Sequence, residues 1–148
     1  MSTAYKMPVS VLVVIYTPDL QVLLIERADH PGYWQSVTGS QNSGETLRET
    51  AIREVAEETG LDATQFELSD CKQQNVYAIY PEWRHRYAPG VTSNIEHVWR
   101  LKLPAPRPVR LAAREHLRYA WLSYQEATQR CFSPSNAQAI LLLAQSLT

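Results

Sequence analysis

The segment formed by residues 39–61 constrains the fold of this chain more than any other part of it. It opens with six residues of loop composition, 39–44, and continues into a stretch rich in Glu, Arg and Ala that predicts a helix over about 46–59. Gly60 follows the helix, where glycine commonly ends one because it adopts the left-handed backbone conformation without strain. The segment therefore predicts a loop that leads into one well-delimited helix.

Three glutamates, Glu54, Glu57 and Glu58, are spaced three and four residues apart in the predicted helix. Residues at this spacing share a helix face, and a step of about 100 degrees per residue places the three carboxylates within an arc of roughly 100 degrees. Crowded carboxylates repel one another unless a cation offsets their charge. Magnesium binds in proteins through a few carboxylates together with substrate phosphates, so this face predicts a divalent metal site.

A solvated acidic helix face is the alternative, and it accounts for the glutamates alone. It does not account for the surrounding pattern: Gly39, five residues, Glu45, seven residues, then Arg53-Glu-aliphatic-x-Glu-Glu-x-Gly60-aliphatic. This pattern resembles the Nudix box at every specified position. The resemblance implies a hydrolase that uses Mg²⁺, with Mn²⁺ as an alternative, to cut a phosphoanhydride bond in a small molecule linked to a diphosphate.

The same resemblance implies roles for single residues of the box. Glu54 and Glu58 are expected as metal ligands, with Glu58 also counted as catalytic, and the backbone carbonyl of Thr38 is expected as a further ligand. Glu57 is expected either as a ligand or as the general base that deprotonates the attacking water. The residues expected to support the box structurally are Gly39, Glu45, Arg53 and Gly60.

Nudix enzymes commonly add an acid from the later half of the chain. Glu115 is the first candidate for this catalytic and metal-binding role because it directly precedes a predicted strand at 117–122. An exposed loop glutamate is the alternative interpretation of Glu115. Glu82 and Glu96 are the competitors for the role and rank lower.

Several strings outside the box resemble the branch of the family that acts on dihydroneopterin triphosphate. The matching strings are residues 5–6, 8–16, 34–40, 84–92, 115–117, 121–122, 135–136 and 138–140. This resemblance implies cleavage of 7,8-dihydroneopterin 3′-triphosphate to the monophosphate and pyrophosphate in folate biosynthesis. Two alternatives stay open: a (deoxy)nucleoside triphosphate diphosphatase of the same family, and a non-catalytic Nudix-type domain that binds a nucleotide as a regulator.

A pterin triphosphate needs a stacking surface for its ring and cations for its phosphates. Trp83 and Tyr87 are the ring candidates. The phosphate candidates are four basic residues, although a solvated surface position is the alternative for each: Lys6, Arg27, Arg84 and Arg86. Further substrate contacts are expected from Thr38, His116 and Ser133. A local hydrogen bond is the alternative for His116, and capping of the last helix is the safer interpretation of Ser133.

Length and composition bound the remaining possibilities. The 148 residues fit one domain, 1–148, with apolar and charged shares of 45% and 20% that are ordinary for a globular protein. A net charge of −1 gives no basic surplus for nucleic acid, the longest apolar run is too short to span a membrane, and the N-terminal residues lack signal-peptide features. We expect a cytoplasmic enzyme without nucleic-acid or membrane partners, and slightly favour a monomer.

The pattern of apolar residues predicts an α/β domain with helices packed on a sheet. Residues 9–16 and 22–26 predict a strand hairpin, and 34–38 is short and extended. One or two strands are expected within 66–80, a polar loop over 83–94, and a half-exposed strand over 97–103. Helices are expected over 124–130 and 136–147. The family resemblance adds that the architecture is a Nudix-type α/β/α sandwich with a mixed sheet.

Overall fold

A computed structural model describes residues 5–147 of the chain. Residues 1–4 and Thr148 lie outside the described residues. Residues 1–4 belong to the N-terminal segment for which the sequence predicts no signal-peptide features. The strands are β1 Val9–Tyr16, β2 Gln21–Arg27, β3 Trp34–Gln35, β4 Val37–Ser40, β5 Glu67–Ala78, β6 Ser93–Lys102 and β7 His116–Ser123, and the helices are α1 Leu47–Thr59, α2 Tyr124–Arg130 and α3 Pro134–Ser146.

One mixed sheet joins all seven strands. Its order is β3-β2-β1-β6-β5, with β4 also paired to β1 and β7 also paired to β2. The β1–β6 pair is parallel and the other pairs are antiparallel. The predicted hairpin of β1 and β2 forms only near its turn, at Tyr16 opposite Val22, because β1 then pairs with β4 and β2 pairs with β7.

The core occupies both faces of this sheet. Alternate residues of β1 point to opposite sides, as expected for a strand. Val11, Val13 and Ile15 join the cluster that contains the buried α1 residues, whereas Leu12 and Val14 join the cluster that contains α2 and α3. This arrangement confirms the predicted α/β/α sandwich with a mixed sheet.

Local sequence fixes both ends of α1. The Thr46 hydroxyl accepts a hydrogen bond from the Glu49 N–H, and the Glu49 carboxylate accepts one from the Thr46 N–H, which forms a capping box. Gly60 ends the helix at φ 74°, in the left-handed conformation that the sequence predicts for it. Ala51 and Val55, on the inner face of the helix, are fully buried. The α1 backbone is therefore anchored at both ends and along its inner face.

Two segments differ in extent from their prediction. The strand expected over 97–103 begins at Ser93, because residues 93–96 pair with β5 and residues 95 and 96 also pair with β1. The loop expected over 83–94 is thus shorter, and it starts within a 3₁₀ segment, Pro81–Arg86. Residues 67–78 form a single long strand with a bulge between Asp70 and Gln73. Within residues 5–147, no helix is long and apolar enough to cross a membrane.

Candidate active site

Two adjoining cavities open beside β1 and β4. One, of about 630 Å³, contains the α1 glutamates, and we name it the acidic cavity. The other, of about 670 Å³, is lined by β5, the 3₁₀ segment and the start of α3, and we name it the aromatic cavity. The residues that line both cavities, the junction, are Lys6, Arg27, Gln35, Thr38, Gly39, Ser40 and Arg86.

Glu58 is the most buried acid of the acidic cavity, with 2% of its surface exposed. Its Oε1 atom has no hydrogen-bond partner among the described residues. Burial raises the pKa of Glu58 well above its usual value, and the neighbouring Glu54 and Glu115 carboxylates raise it further. A buried carboxylate with an unpaired oxygen and two acidic neighbours favours a cation.

Glu54 lies directly against the backbone of β4. A β-carbon added at Gly39 would overlap the Glu54 carboxylate, so only glycine permits this approach. Arg53 holds the other side of the Glu54 carboxylate, with Nη1 2.6 Å from Oε1. The first glycine of the box therefore makes room for a carboxylate rather than for an unusual backbone angle.

Arg53 connects the loop of the box to its helix. Its Nε atom donates to Glu45 Oε2 at 2.6 Å, and its Nη2 atom donates both to Glu45 Oε1 at 3.0 Å and to the Ser40 carbonyl at 2.8 Å. The Asn42 N–H and the Thr50 hydroxyl also donate to Glu45. Arg53 above all lowers the pKa of Glu45 to about 2. These contacts tie the loop of the box to its helix, and the structural role of Glu45 and Arg53 remains a prediction that their substitution can test.

Glu115, the residue directly before β7, lines the acidic cavity. Its backbone carbonyl accepts a hydrogen bond from the Ala28 N–H, and its carboxylate lies close enough to Glu58 to raise that residue's pKa. The two competitors lie elsewhere: Glu82 is exposed on the 3₁₀ segment, and Glu96 lines the aromatic cavity. Of the three proposed outside acids, the structure brings only Glu115 to the α1 glutamates.

His116 is buried at the back of the acidic cavity. Its Nε2 atom lies 3.6 Å from Glu58 Oε1, and its Nδ1 atom has no partner among the described residues. Burial, assisted by the positive charge of Arg27, lowers the pKa of His116 to about 4. The imidazole is therefore neutral at pH 7, and its contact with Glu58 is not an ion pair.

The donor chemistry of the acidic cavity fits a hard divalent ion. Glu54, Glu57, Glu58 and Glu115 line it together, and Thr38 lies at its edge. Within residues 5–147, no three His, Cys, Asp or Glu side chains are arranged closely enough to hold a metal ion as they stand. The side chain of Glu57 is 53% exposed and can turn, whereas Glu58 is fixed by burial. The carboxylates thus fit magnesium in kind and number after a side-chain movement.

Three cations meet at the junction. The Arg27 guanidinium donates two hydrogen bonds to Asp29, each 2.7 Å long, and Arg86 lies 3.3 Å from the same carboxylate. The Lys6 N–H donates to the Arg86 carbonyl, and partial desolvation of the Lys6 ammonium, with the nearby Arg86 charge, lowers its pKa. Three cations with one acidic partner leave positive charge directed at both cavities.

Aromatic rings form one wall of the aromatic cavity. Tyr80, Trp83 and Phe132 contact one another, with centroid distances of 5.3 Å for Tyr80–Trp83 and 6.3 Å for Trp83–Phe132. Arg27 lies over the Trp83 ring at 4.4 Å. The predicted substrate residues Tyr87 and Ser133 also line this cavity. A flat ligand can therefore contact the aromatic wall while its charged end faces the junction.

One predicted substrate residue is not brought to either cavity. Arg84 is exposed, and its Nε atom donates to the Ile79 carbonyl at 3.1 Å, because the 3₁₀ turn directs this side chain back along the chain. Several residues that line the aromatic cavity were not predicted as site residues. Gln35 and Ser135 lie in strings that carry the family resemblance, whereas the others had no signal in the sequence: Asn75, Tyr77, Tyr80 and Phe132.

Comparison with known proteins agrees with this geometry. The NUDIX domain family matches residues 6–143. The chain belongs to the Nudix family and is a Nudix hydrolase.

Two curated relatives and one solved structure are similar over most of the chain. The dihydroneopterin triphosphate diphosphatase of Escherichia coli is 48% identical, over 92% of this chain and 91% of its own length. The protein of the same name from Haemophilus influenzae is 42% identical, over 92% and 87%. The solved structure of the E. coli dihydroneopterin triphosphate pyrophosphohydrolase superposes with a TM-score of 0.87, at 48% identity, over 93% of this chain and 95% of that chain.

Proposed function

We propose that this chain hydrolyses 7,8-dihydroneopterin 3′-triphosphate to dihydroneopterin monophosphate and pyrophosphate, as a step of folate biosynthesis. The observation that carries the proposal is the pair of adjoining cavities, one aromatic and one acidic, joined by three cations. The substrate matches this arrangement: its flat ring suits the aromatic cavity, and its triphosphate, joined to the ring by a short polyol chain, suits the junction cations and the acidic cavity beyond them. The names of the two curated relatives support the proposal independently.

The aromatic cavity takes the ring. Its volume of about 670 Å³ lies within the range of small-molecule sites. The rings of Trp83 and Phe132 lie at 83° to one another, so the flat bicycle can stack on the face of one of them while the other ring meets its edge. The polyol chain then leads past Gln35 and the β4 backbone toward the acidic cavity.

The junction cations hold the phosphates. Arg27 and Arg86 are already oriented by Asp29, so little side-chain entropy is lost when they bind phosphate oxygens. Lys6 supplies a third positive charge beside them. They line the same cavity as the α1 carboxylates, so a triphosphate bound to these cations lies beside those carboxylates.

The acidic cavity carries out the hydrolysis. Glu54, Glu58 and Glu115, with the Thr38 carbonyl, would hold Mg²⁺. When bound, magnesium neutralises charge on phosphate oxygens and lowers the pKa of a coordinated water. Glu57 or Glu115 accepts the proton of the attacking water. As the water oxygen bonds to one phosphorus of the α–β linkage, the bond from that phosphorus to the bridging oxygen breaks. The bridging oxygen stays with the other product, so that dihydroneopterin monophosphate and pyrophosphate are released.

A competition assay with product identification tests this proposal. Dihydroneopterin triphosphate, GTP and ATP are mixed at equal concentration with the Mg²⁺-loaded enzyme, and their consumption gives the ratios of kcat/KM. We expect the pterin compound to be consumed fastest and pyrophosphate to be the released product. Preference for a nucleoside triphosphate, or release of orthophosphate alone, contradicts the proposed substrate or reaction while leaving the family assignment intact.

A further inference from the structure

We propose that Glu96, at the base of the aromatic cavity, binds the two adjacent N–H donors of a 2-amino-4-oxopyrimidine edge and so determines which ring the enzyme accepts. This inference rests on the proposed function and extends it from the phosphates to the ring. It gives a role to an acid that the metal site does not use.

Glu96 lies on β6, opposite Ser10 of β1 and Asn75 of β5. Only 4% of its surface is exposed, yet it lines the aromatic cavity. The carboxylate oxygen Oε1 accepts hydrogen bonds from the Ser135 hydroxyl at 3.0 Å and from the Asn75 amide at 3.3 Å. No cation of residues 5–147 forms an ion pair with it.

The second carboxylate oxygen is available to a ligand. Within the described part of the chain, Oε2 of Glu96 accepts no hydrogen bond, and it is not among the polar atoms sealed from solvent. Its remaining surface therefore belongs to the cavity. A buried carboxylate that has only two neutral donors costs free energy, and burial accordingly raises the pKa of Glu96 despite those donors.

A pterin supplies the missing donors. The ring presents N3–H and the exocyclic 2-amino group side by side, and a carboxylate accepts such a pair with its two oxygens. Oε2 accepts one of them directly. The Ser135 hydroxyl lies 3.0 Å from the Ser133 hydroxyl as well, so it can exchange partners and leave a lone pair of Oε1 for the other.

The carboxylate and the aromatic wall are held in register. Phe132 and Ser135 belong to the same short segment at the start of α3, and both line the cavity. The next residue, Asn136, accepts from the Ser36 N–H at 2.8 Å and donates to the Ser36 hydroxyl at 3.0 Å, which fixes this segment to the sheet. A ring stacked on Phe132 thus meets Glu96 with its edge.

The recognition rule separates ring classes. Guanine carries the same two adjacent donors as a pterin, whereas adenine does not present them. A 2,4-dioxo pteridine places an acceptor where the pterin places its 2-amino group, and this acceptor faces the carboxylate unfavourably. We therefore expect pterin and guanine triphosphates to be favoured over adenine and over the 2-oxo analogue.

The variant Glu96→Gln tests the rule because its amide keeps the shape but changes one acceptor into a donor. We expect kcat/KM for dihydroneopterin triphosphate to fall by roughly 10–100-fold, the value of one bidentate pair. The fall for ATP should be at least tenfold smaller, and the preference for pterin over the 2-oxo triphosphate should shrink or invert. Glu82→Gln, an exposed glutamate outside both cavities, is the matched control and should leave both ratios unchanged.

A binding measurement separates this inference from the proposed function. Fluorescence titration with neopterin, which has no phosphate, reports the aromatic cavity alone. Glu96→Gln and the milder Glu96→Asp should both weaken neopterin binding, whereas Glu58→Gln should not. Equal losses for pterin and ATP, or unchanged neopterin binding in both variants, overturn the role of Glu96. A wild-type preference for ATP instead overturns the proposed substrate.

Discussion

Replacing Glu45 by Gln removes the charge that holds Arg53 and leaves the side-chain shape. The pKa of Glu45 falls from 4.5 to about 2 in the folded protein, chiefly through Arg53, which corresponds to at most ~3 kcal/mol of stability. Because 18% of the side chain remains exposed, solvent screening reduces this to ~2 kcal/mol. For a chain of this length, the expected fall in Tm is roughly 4–8 °C.

The direction in which the stability contribution of Glu45 changes with pH follows from the lowering of its pKa on folding. A carboxyl group whose pKa is lowered on folding contributes its full stability above its unfolded pKa of 4.5, and that contribution is lost as the pH falls through about 2. The difference between wild type and Glu45→Gln should therefore be full at pH 7 and clearly smaller at pH 3. Urea unfolding in the presence of EDTA measures it without a contribution from bound metal.

A weak surface ion pair provides the control. Glu67 lies 3.9 Å from Lys102 with 76% of its side chain exposed, so Glu67→Gln should cost less than ~0.5 kcal/mol at any of these pH values. If Glu45→Gln costs no more than Glu67→Gln, or if its cost is the same at pH 7 and pH 3, the structural role assigned to the Glu45–Arg53 pair is wrong.

Three further substitutions test the acidic cavity. Glu58→Gln should lower turnover about 100-fold or more at saturating Mg²⁺. In EDTA, its urea unfolding midpoint should exceed that of wild type by more at pH 8 than at pH 5, because a carboxyl group whose pKa is raised on folding destabilises the folded wild-type protein as the pH rises. Gly39→Ala should lower kcat at least about tenfold and leave the far-UV circular dichroism spectrum unchanged, since the added methyl group displaces the Glu54 carboxylate. A wild-type kcat in this variant would refute the close packing of Gly39 against Glu54. Glu115→Gln should reduce turnover at least about tenfold while Glu82→Gln stays within about twofold, and the reverse order would place the outside acid elsewhere.

The features that the sequence predicted well are local in the chain. The bounds of the helix predicted over about 46–59 and the position of Gly60 at its end depend on neighbours three or four residues away, and the structure has α1 at Leu47–Thr59 with Gly60 as its C-cap. Val9–Tyr16 was likewise predictable as a buried strand from its own composition. The partners of that strand were not, because β4 and β6 come from distant parts of the chain.

The ring side of the site depends on such distant contacts. Arg84 and Arg86 are two residues apart and look alike in the sequence. Arg84 donates to the Ile79 carbonyl, whereas Arg86 lies beside Asp29, and this difference follows from the geometry of the 3₁₀ segment. Glu96 could be seen as a possible metal acid, but its place beside Ser135 depends on the packing of α3 over the sheet. Electrostatic partners of this kind are set by tertiary packing rather than by periodicity.

The walls of the two cavities are built from largely separate stretches of the chain, so the residues of one cavity can change without changing those of the other. Residues 74–80 and 132–136 line only the aromatic cavity, whereas α1 and residues 114–116 line only the acidic cavity. A lineage can therefore exchange the first set of residues to accept a different ring without changing the residues of the acidic cavity. The same partition tells an engineer where to place a library: on β5 and the α3 entrance, with α1 left untouched.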